Sequence, residues 1–224
     1  MILNQGQEAA FLDIQQWLTT DGAPYYFLSG QAGTGKTALA RYVKLWAEVN
    51  LGKWVHVTAT TNKAAAVLTA SLNVGEEAGT IYSLLGLRVT NDYHTGKQFL
   101  QKTNSQTPPE YNSLVLVDEA SMVDPTLMDF INQAVRDFNL RVLFIGDAYQ
   151  LPPVNAGSMP VTSEHIPVSY LTEIMRAEKR RDLEEAYTAG RQMVIDDEGI
   201  YIPSASENIT LVPHEGSKDY LAAL

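Results

Sequence analysis

The stretch Gly30-Gln31-Ala32-Gly33-Thr34-Gly35-Lys36-Thr37 has the spacing G-x-x-x-x-G-K-[ST], which suits a loop that cradles a polyphosphate. Glycines at 30, 33 and 35 let the backbone curl until the N–H groups of Ala32 to Thr37 point inward at phosphate oxygens. Lys36 adds a cation for the β- and γ-phosphates, and Thr37 a hydroxyl for Mg²⁺. A second group, Asp118-Glu119, directly follows the apolar run Leu114 to Val117. Asp118 is placed to hold Mg²⁺ through water from the end of a strand neighbouring the loop strand. Glu119 is placed to orient and deprotonate an attacking water at the γ-phosphate. A third group, Gly146-Asp147-Ala148-Tyr149-Gln150-Leu151-Pro152-Pro153, follows the run Val142 to Ile145. Two readings of Gln150 stay open: a donor that senses the γ-phosphate, or an incidental turn glutamine.

These groups need a scaffold that brings strand ends to one edge, and the hydrophobic pattern supplies it. Tyr25 to Leu28 is a short apolar, aromatic run ahead of the loop, and Leu39, Ala40, Val43 and Ala47 recur at helical spacing after it. Strand, loop, helix sets a helix N-terminus at the phosphates. Asn4 caps a first helix with Ala10, Phe11, Ile14, Trp17 and Leu18 on one stripe. Strands are expected at Trp54 to Ala59, Leu114 to Val117, Val142 to Ile145 and Val168 to Leu171, and helices over Ala64 to Leu72, Met122 to Phe138 and Leu183 to Val194. Thr80 to Leu85 reads as a helical turn, and His56 as a packed strand residue. Leu87 to Tyr93 and Gln98 to Lys102 are expected to pair as a hairpin. The fold class is α/β: a P-loop NTPase with a parallel sheet flanked by helices and a small inserted β-hairpin.

A chain of 224 residues with 45% hydrophobic content suits one such core with a small appendage. It has no cysteine, which excludes disulfides and thiolate metal sites. The formal charge of −10 opposes coating of nucleic acid by bulk electrostatics, so any such contact must be local. With no charged-then-apolar leader and no run long enough for a bilayer, a soluble cytoplasmic protein with no membrane partner is expected.

Together the three groups closely resemble superfamily-one DNA helicases of the RecD and Dda type. Leu3-Asn4-Gln5-Gly6-Gln7 is similar to that family's Q element, which implies an adenine-reading role for Gln7. Ala59-Thr60-Thr61-Asn62-Lys63 resembles motif Ia, and Thr80-Ile81-Tyr82-Ser83 motif Ib. Leu171-Thr172-Glu173-Ile174-Met175-Arg176 resembles motif IV, which makes Arg176 the arginine that reaches the γ-phosphate. The resemblance covers Leu3 to Arg176. It implies a RecA-like domain over residues 1–194, a strand-separating pin at 87–103, ATP and Mg²⁺ as ligands, and 5′-to-3′ polarity. Single-stranded DNA is the implied partner, along Thr61, Asn62, Lys63, Thr80 and Tyr82.

Two positions depart from the family. Tyr82 stands where histidine is usual and Thr60 where proline is usual. No second set of helicase motifs occurs in these 224 residues, so residues 195–224 read as a linker towards a second RecA-like domain that is absent from them. The other reading is a P-loop ATPase or phosphotransferase that acts on a protein or small molecule.

Overall fold

The computed structural model describes residues 3–71, 77–91, 98–103, 107–150 and 159–175. They belong to a compact unit that spans Met1–Met175; Arg176–Leu224 forms a second unit that lies outside the described residues. The predicted helix at 183–194, the predicted linker and Arg176 all fall in that second unit, and the 151–153 segment of the third motif, within the first unit, also lies outside the described residues.

Asn4 starts α1 (Gln5–Thr19) through a capping box in which its side chain accepts from Gln7 N–H and Gln7 answers at the Asn4 N–H. β1 (Tyr25–Gly30) leads through the glycine loop into α2 (Lys36–Leu51), which stops at Gly52 in the left-handed region. β2 (Val55–Ala59), α3 (Asn62–Ser71), the two-residue β3 (Gly79–Thr80) and α4 (Ile81–Leu84) follow. β4 (Leu87–Asn91) and β5 (Gln98–Lys102) then form a separate antiparallel pair. β6 (Leu114–Asp118), α5 (Pro125–Phe138), β7 (Arg141–Gly146) and β8 (Val168–Leu171) complete the unit.

The main sheet has the order β3-β2-β6-β7-β1-β8, and every pairing in it is parallel. Parallel strands covered on both faces must be apolar on both, and the core divides accordingly. Phe27, Val115, Val117, Val142 and Phe144 pack with Leu127 and Ile131 of α5. Leu28, Leu114, Leu116, Leu143 and Ile145 pack with Ile14 of α1 and Leu39 and Val43 of α2. The expected RecA-like sheet flanked by helices is what the chain forms.

Two expectations need correction. α5 begins at Pro125, not at Met122: Asp124 caps it by accepting from Leu127 N–H, and Ala120–Met122 is a separate 3-10 turn. A residue ahead of proline avoids the helical region, and proline suits the first helical position because it has no N–H to satisfy. The strand that carries Asp118 is also not the neighbour of the loop strand, because β7 lies between β6 and β1. The hairpin pairs Leu87 with Lys102 through to Asn91 with Gln98, and its tip at 92–97 lies outside the described residues. Leu87 anchors it in the core, while Thr103 N–H and Oγ1 both donate to the Gly86 carbonyl at its base.

Candidate nucleotide-binding site

In a parallel sheet every strand ends on the same edge, so Gly30, Ala59, Thr80, Asp118, Gly146 and Leu171 arrive there together. Gly33 and Gly35, at φ 87° and 83°, make the curl that lets the loop turn into the N-terminus of α2. Lys36 Nζ lies over the loop and donates to the Gly30 carbonyl at 2.6 Å and the Gln31 carbonyl at 2.9 Å. Thr37, in the first turn of α2, is half-buried. Beneath the loop there is no spare room. A Cβ on Gly30 would come within 2.7 Å of Thr34 Oγ1 and 2.9 Å of the Leu171 carbonyl oxygen.

The loop is braced from two sides. Gln7, 1% exposed, donates from Nε2 to the Thr34 carbonyl at 3.1 Å and accepts the Asn4 N–H on Oε1 at 3.1 Å. Its amide keeps a second proton and a second lone pair for another contact. Met175 N–H donates to the Gly33 carbonyl at 2.9 Å, so motif IV reaches the loop through its backbone, one residue before Arg176. Met175 carried no sequence signal for this contact with the loop, because it is a product of the tertiary fold.

Asp118 is half-buried, and its Oδ1 accepts from the Glu119 N–H at 2.9 Å. Burial raises its carboxyl above the usual carboxylate range, with the Glu119 charge adding to the rise; the Glu119 N–H and Lys36 oppose it. The folded state therefore holds a proton on Asp118 more readily than the unfolded chain does. This group favours folding at low pH, and that contribution is lost as pH rises through its folded pKa. Asp118→Asn keeps an acceptor for Glu119 N–H and removes the charge. It should raise the melting temperature of the nucleotide-free protein by about 2–4 °C at neutral pH, a gain of about 1 kcal/mol for a domain of this size. The gain should shrink as the pH falls into the carboxylate range, and melting scans across pH check it.

Glu119 adopts φ 55° and ψ 41°, a left-handed conformation that costs a residue with a Cβ about 1–2 kcal/mol. Its side chain is exposed at the sheet edge. Gln150 is exposed as well, and its Oε1 accepts from Ser121 Oγ at 2.8 Å, which ties the third motif to the turn that carries Glu119. That tie favours a placed glutamine over an incidental one. Asp147 is buried and accepts the Tyr149 N–H, and Ser29 of β1 accepts the Ala148 N–H at 3.0 Å. Lys36, Thr37, Asp118, Glu119 and Gln150 thus share one edge of the sheet.

The predicted DNA residues lie further along that edge. Ala59 pairs with Thr80, which sets the starts of α3 and α4 side by side. Thr61, Asn62 and Lys63 are exposed there. Thr61 accepts from Ala64 N–H and Thr80 from Ser83 N–H, so both hydroxyls also cap helices. Tyr82 is half-buried against the core beside α5, where burial, reinforced by Asp124, raises its phenol pKa. A cavity of about 680 Å³ opens beside β2, lined by Lys44, Glu48, His56, Thr80 and Ser83; no residue of the phosphate loop borders it. His56, on its wall, sits 2.7 Å from Glu110. Among the described residues no cluster of three or more His, Cys, Asp or Glu forms a metal cage.

The sequence pattern described as AAA domain matches residues 2–205. The chain belongs to this AAA domain family. The ATP-dependent RecD2 DNA helicase of Deinococcus radiodurans is 34% identical to this chain over 160 residues, which is 71% of this chain and 20% of that protein. The RecD subunit of the RecBCD enzyme of Haemophilus influenzae is 29% identical over 158 residues, 61% of this chain and 23% of the subunit. The crystal structure of the Pif1 helicase from Candida albicans shares the fold at a TM-score of 0.59, with 22% identity over 85% of this chain and 44% of that one. The chain therefore spans less than half of each of these proteins. The resemblance to superfamily-one helicases read from the motifs is borne out in family and fold. No helix among the described residues is long and apolar enough to cross a membrane.

Proposed function

We propose that this chain is the N-terminal, RecA-like motor domain of a 5′-to-3′ DNA helicase and that it binds and hydrolyses ATP. One observation carries the reading: the phosphate loop, Asp118-Glu119 and Gln150 end on the same sheet edge as the exposed Thr61–Lys63 segment. The backbone of Ala32 to Gly35, with Gly30 and Lys36, binds the phosphates; Thr37 and Asp118 hold Mg²⁺, and Gln7 serves the adenine. When bound, Mg²⁺ neutralises charge that develops on the β- and γ-phosphates. Glu119 takes the proton of the attacking water, Gln150 donates to the γ-phosphate and Arg176 reaches it. Gln7, Arg176 and the polarity rest on the resemblance.

Relatives named as ATP-dependent DNA helicases favour this reading over a phosphotransferase acting on a protein or small molecule. Thr61, Asn62, Lys63, Thr80 and Tyr82 contact single-stranded DNA: hydroxyls, an amide and a lysine at helix starts suit phosphates, and Tyr82 suits a base face. Residues 87–103 act as a pin, residues 1–194 form the domain, and 195–224 lead towards a second RecA-like domain. The protein works in the cytoplasm. Single-stranded oligonucleotide binding at low salt tests the partner. Binding should weaken steeply with salt, and Lys63→Glu should lower the slope of log affinity against log salt by about 0.7, the loss of one phosphate contact. Unchanged affinity in Lys63→Glu would put the DNA on another face, and phosphoryl transfer to an acceptor other than water would favour the alternative.

A further inference from the structure

Thr60 follows β2 and is 6% exposed. It bonds the neighbouring strand end twice. Its N–H donates to the Asp118 carbonyl at 3.3 Å, and its Oγ1 donates to the Glu119 carbonyl at 3.1 Å. Glu119 is the residue in the left-handed region, where a side chain stays only if its surroundings over-determine the backbone. Its N–H is taken by the Asp118 carboxylate, and its carbonyl also accepts the Met122 N–H at 3.0 Å. Both of those bonds are local to the turn and would travel with it. The Thr60 hydroxyl reaches the turn from another strand and fixes it to the sheet.

We propose that Thr60 is a positioning residue: its hydroxyl holds the Glu119 peptide in the left-handed turn and so aims the Glu119 carboxylate. The inference rests on the reading of Glu119 as the base that activates water. A relaxed Glu119 backbone swings the Cα–Cβ bond and carries the carboxylate with it, and displacements of about 1 Å in such groups cost on the order of 10²-fold in rate. Proline at this position could donate neither bond. Thr60 also directly precedes Thr61, Asn62 and Lys63. A shift of that segment on binding a strand therefore reaches the Glu119 turn through the Thr60 hydroxyl, alongside the backbone bond of Thr60 to Asp118.

The test is single-turnover hydrolysis with the 224-residue chain in excess over labelled ATP and Mg²⁺. Nucleotide affinity and melting temperature are measured alongside for Thr60→Val, Thr60→Ser, Glu119→Gln and the Thr60→Val/Glu119→Gln pair. Thr60→Val keeps the branched shape and removes the hydroxyl, so hydrolysis should fall by about 10- to 100-fold with affinity held within about twofold. Thr60→Ser, which keeps the hydroxyl, should recover most of the rate. In the Glu119→Gln background Thr60→Val should remove little more, because the two changes then act on one function. A purely structural threonine would instead lower the melting temperature and leave the rate of the folded fraction alone. Full rate in Thr60→Val, a Thr60→Ser variant as slow as Thr60→Val, or losses that multiply in the pair would each overturn the proposal. If Thr60→Val does not fold, Thr60→Ala takes its place under the same criteria. No hydrolysis by the unmodified chain, or full hydrolysis by Glu119→Gln, would instead overturn the reading of the site.

Discussion

Lys36→Ala should lower ATP affinity by about 10- to 100-fold, whereas Glu119→Gln should leave affinity near that of the unmodified chain and reduce hydrolysis by about 10²- to 10⁴-fold. The first figure follows from charge-assisted hydrogen bonds worth about 1.5–3 kcal/mol, and the second from the usual contribution of a general base. The two groups act at different points along the reaction. Lys36 Nζ lies at 2.6 Å and 2.9 Å from two loop carbonyls, where it meets phosphate as soon as nucleotide binds. It is needed in the ground state and in the transition state alike. Glu119 is exposed, with its backbone held in place, and it is needed chiefly as the water loses its proton. Fluorescent-nucleotide titration and single-turnover hydrolysis separate the two effects. Equal affinity for Lys36→Ala and the unmodified chain would sink the assignment of the loop.

What the sequence disclosed were features in which a short segment is its own explanation. Gly30 to Thr37 needs only its glycines, lysine and threonine to state what it can hold. Leu114 to Val117 and Val142 to Ile145 are apolar on every residue, as strands covered on both faces must be. From those runs alone Asp118-Glu119 and Gly146 fall at strand ends, and parallel strands bring their ends to one edge. Strand order is another matter. That β7 separates β6 from the loop strand is set by which crossovers pack, and no local pattern in Leu114 to Asp118 encodes it. β3 was equally silent, since two residues show no period.

The start of α5 is legible at Asp124-Pro125. Asp124-Pro125 is a cap followed by a proline suited to the first helical position, but the apolar Met122 and Val123 masked the boundary. Thr60 and Ser121 are the instructive omissions. Each is a small hydroxyl residue close to the residues given roles, Thr61 to Lys63 for Thr60 and Asp118-Glu119 for Ser121. Their importance lies in partners at distant positions, Glu119 for Thr60 and Gln150 for Ser121. Tyr82 shows the reverse: its type suggested a free stacking face, while packing against the core leaves it half-buried.

Gly35→Ala should be among the most damaging single substitutions in the loop, and the overpacking part of the damage should be relieved by a second one. Gly35 sits at φ 83°, so any Cβ there costs about 1–2 kcal/mol before a neighbour is met. The neighbour it meets is the Gln7 amide nitrogen, with Met175 Cγ beyond at 3.8 Å. Gln7 is buried and held at both ends of its amide, by the Thr34 carbonyl and the Asn4 N–H. It cannot swing aside without breaking the capping box of α1 and the brace on the loop. Overpacking of this kind adds about 1–3 kcal/mol. The melting temperature of the nucleotide-free protein should then fall by roughly 5–15 °C. Gln7→Ala alone should cost about 1 kcal/mol through the lost cap and buried bonds. On the Gly35→Ala background, however, it empties the space that the new methyl needs. The pair should be less destabilised than the sum of the singles by about 1–3 kcal/mol, whereas independent sites add within about 0.5 kcal/mol. Only the backbone cost at Gly35 and the loss of the Gln7 bonds should remain. Additive losses would mean that the left-handed backbone alone forbids a side chain at 35, and that Gln7 yields without cost.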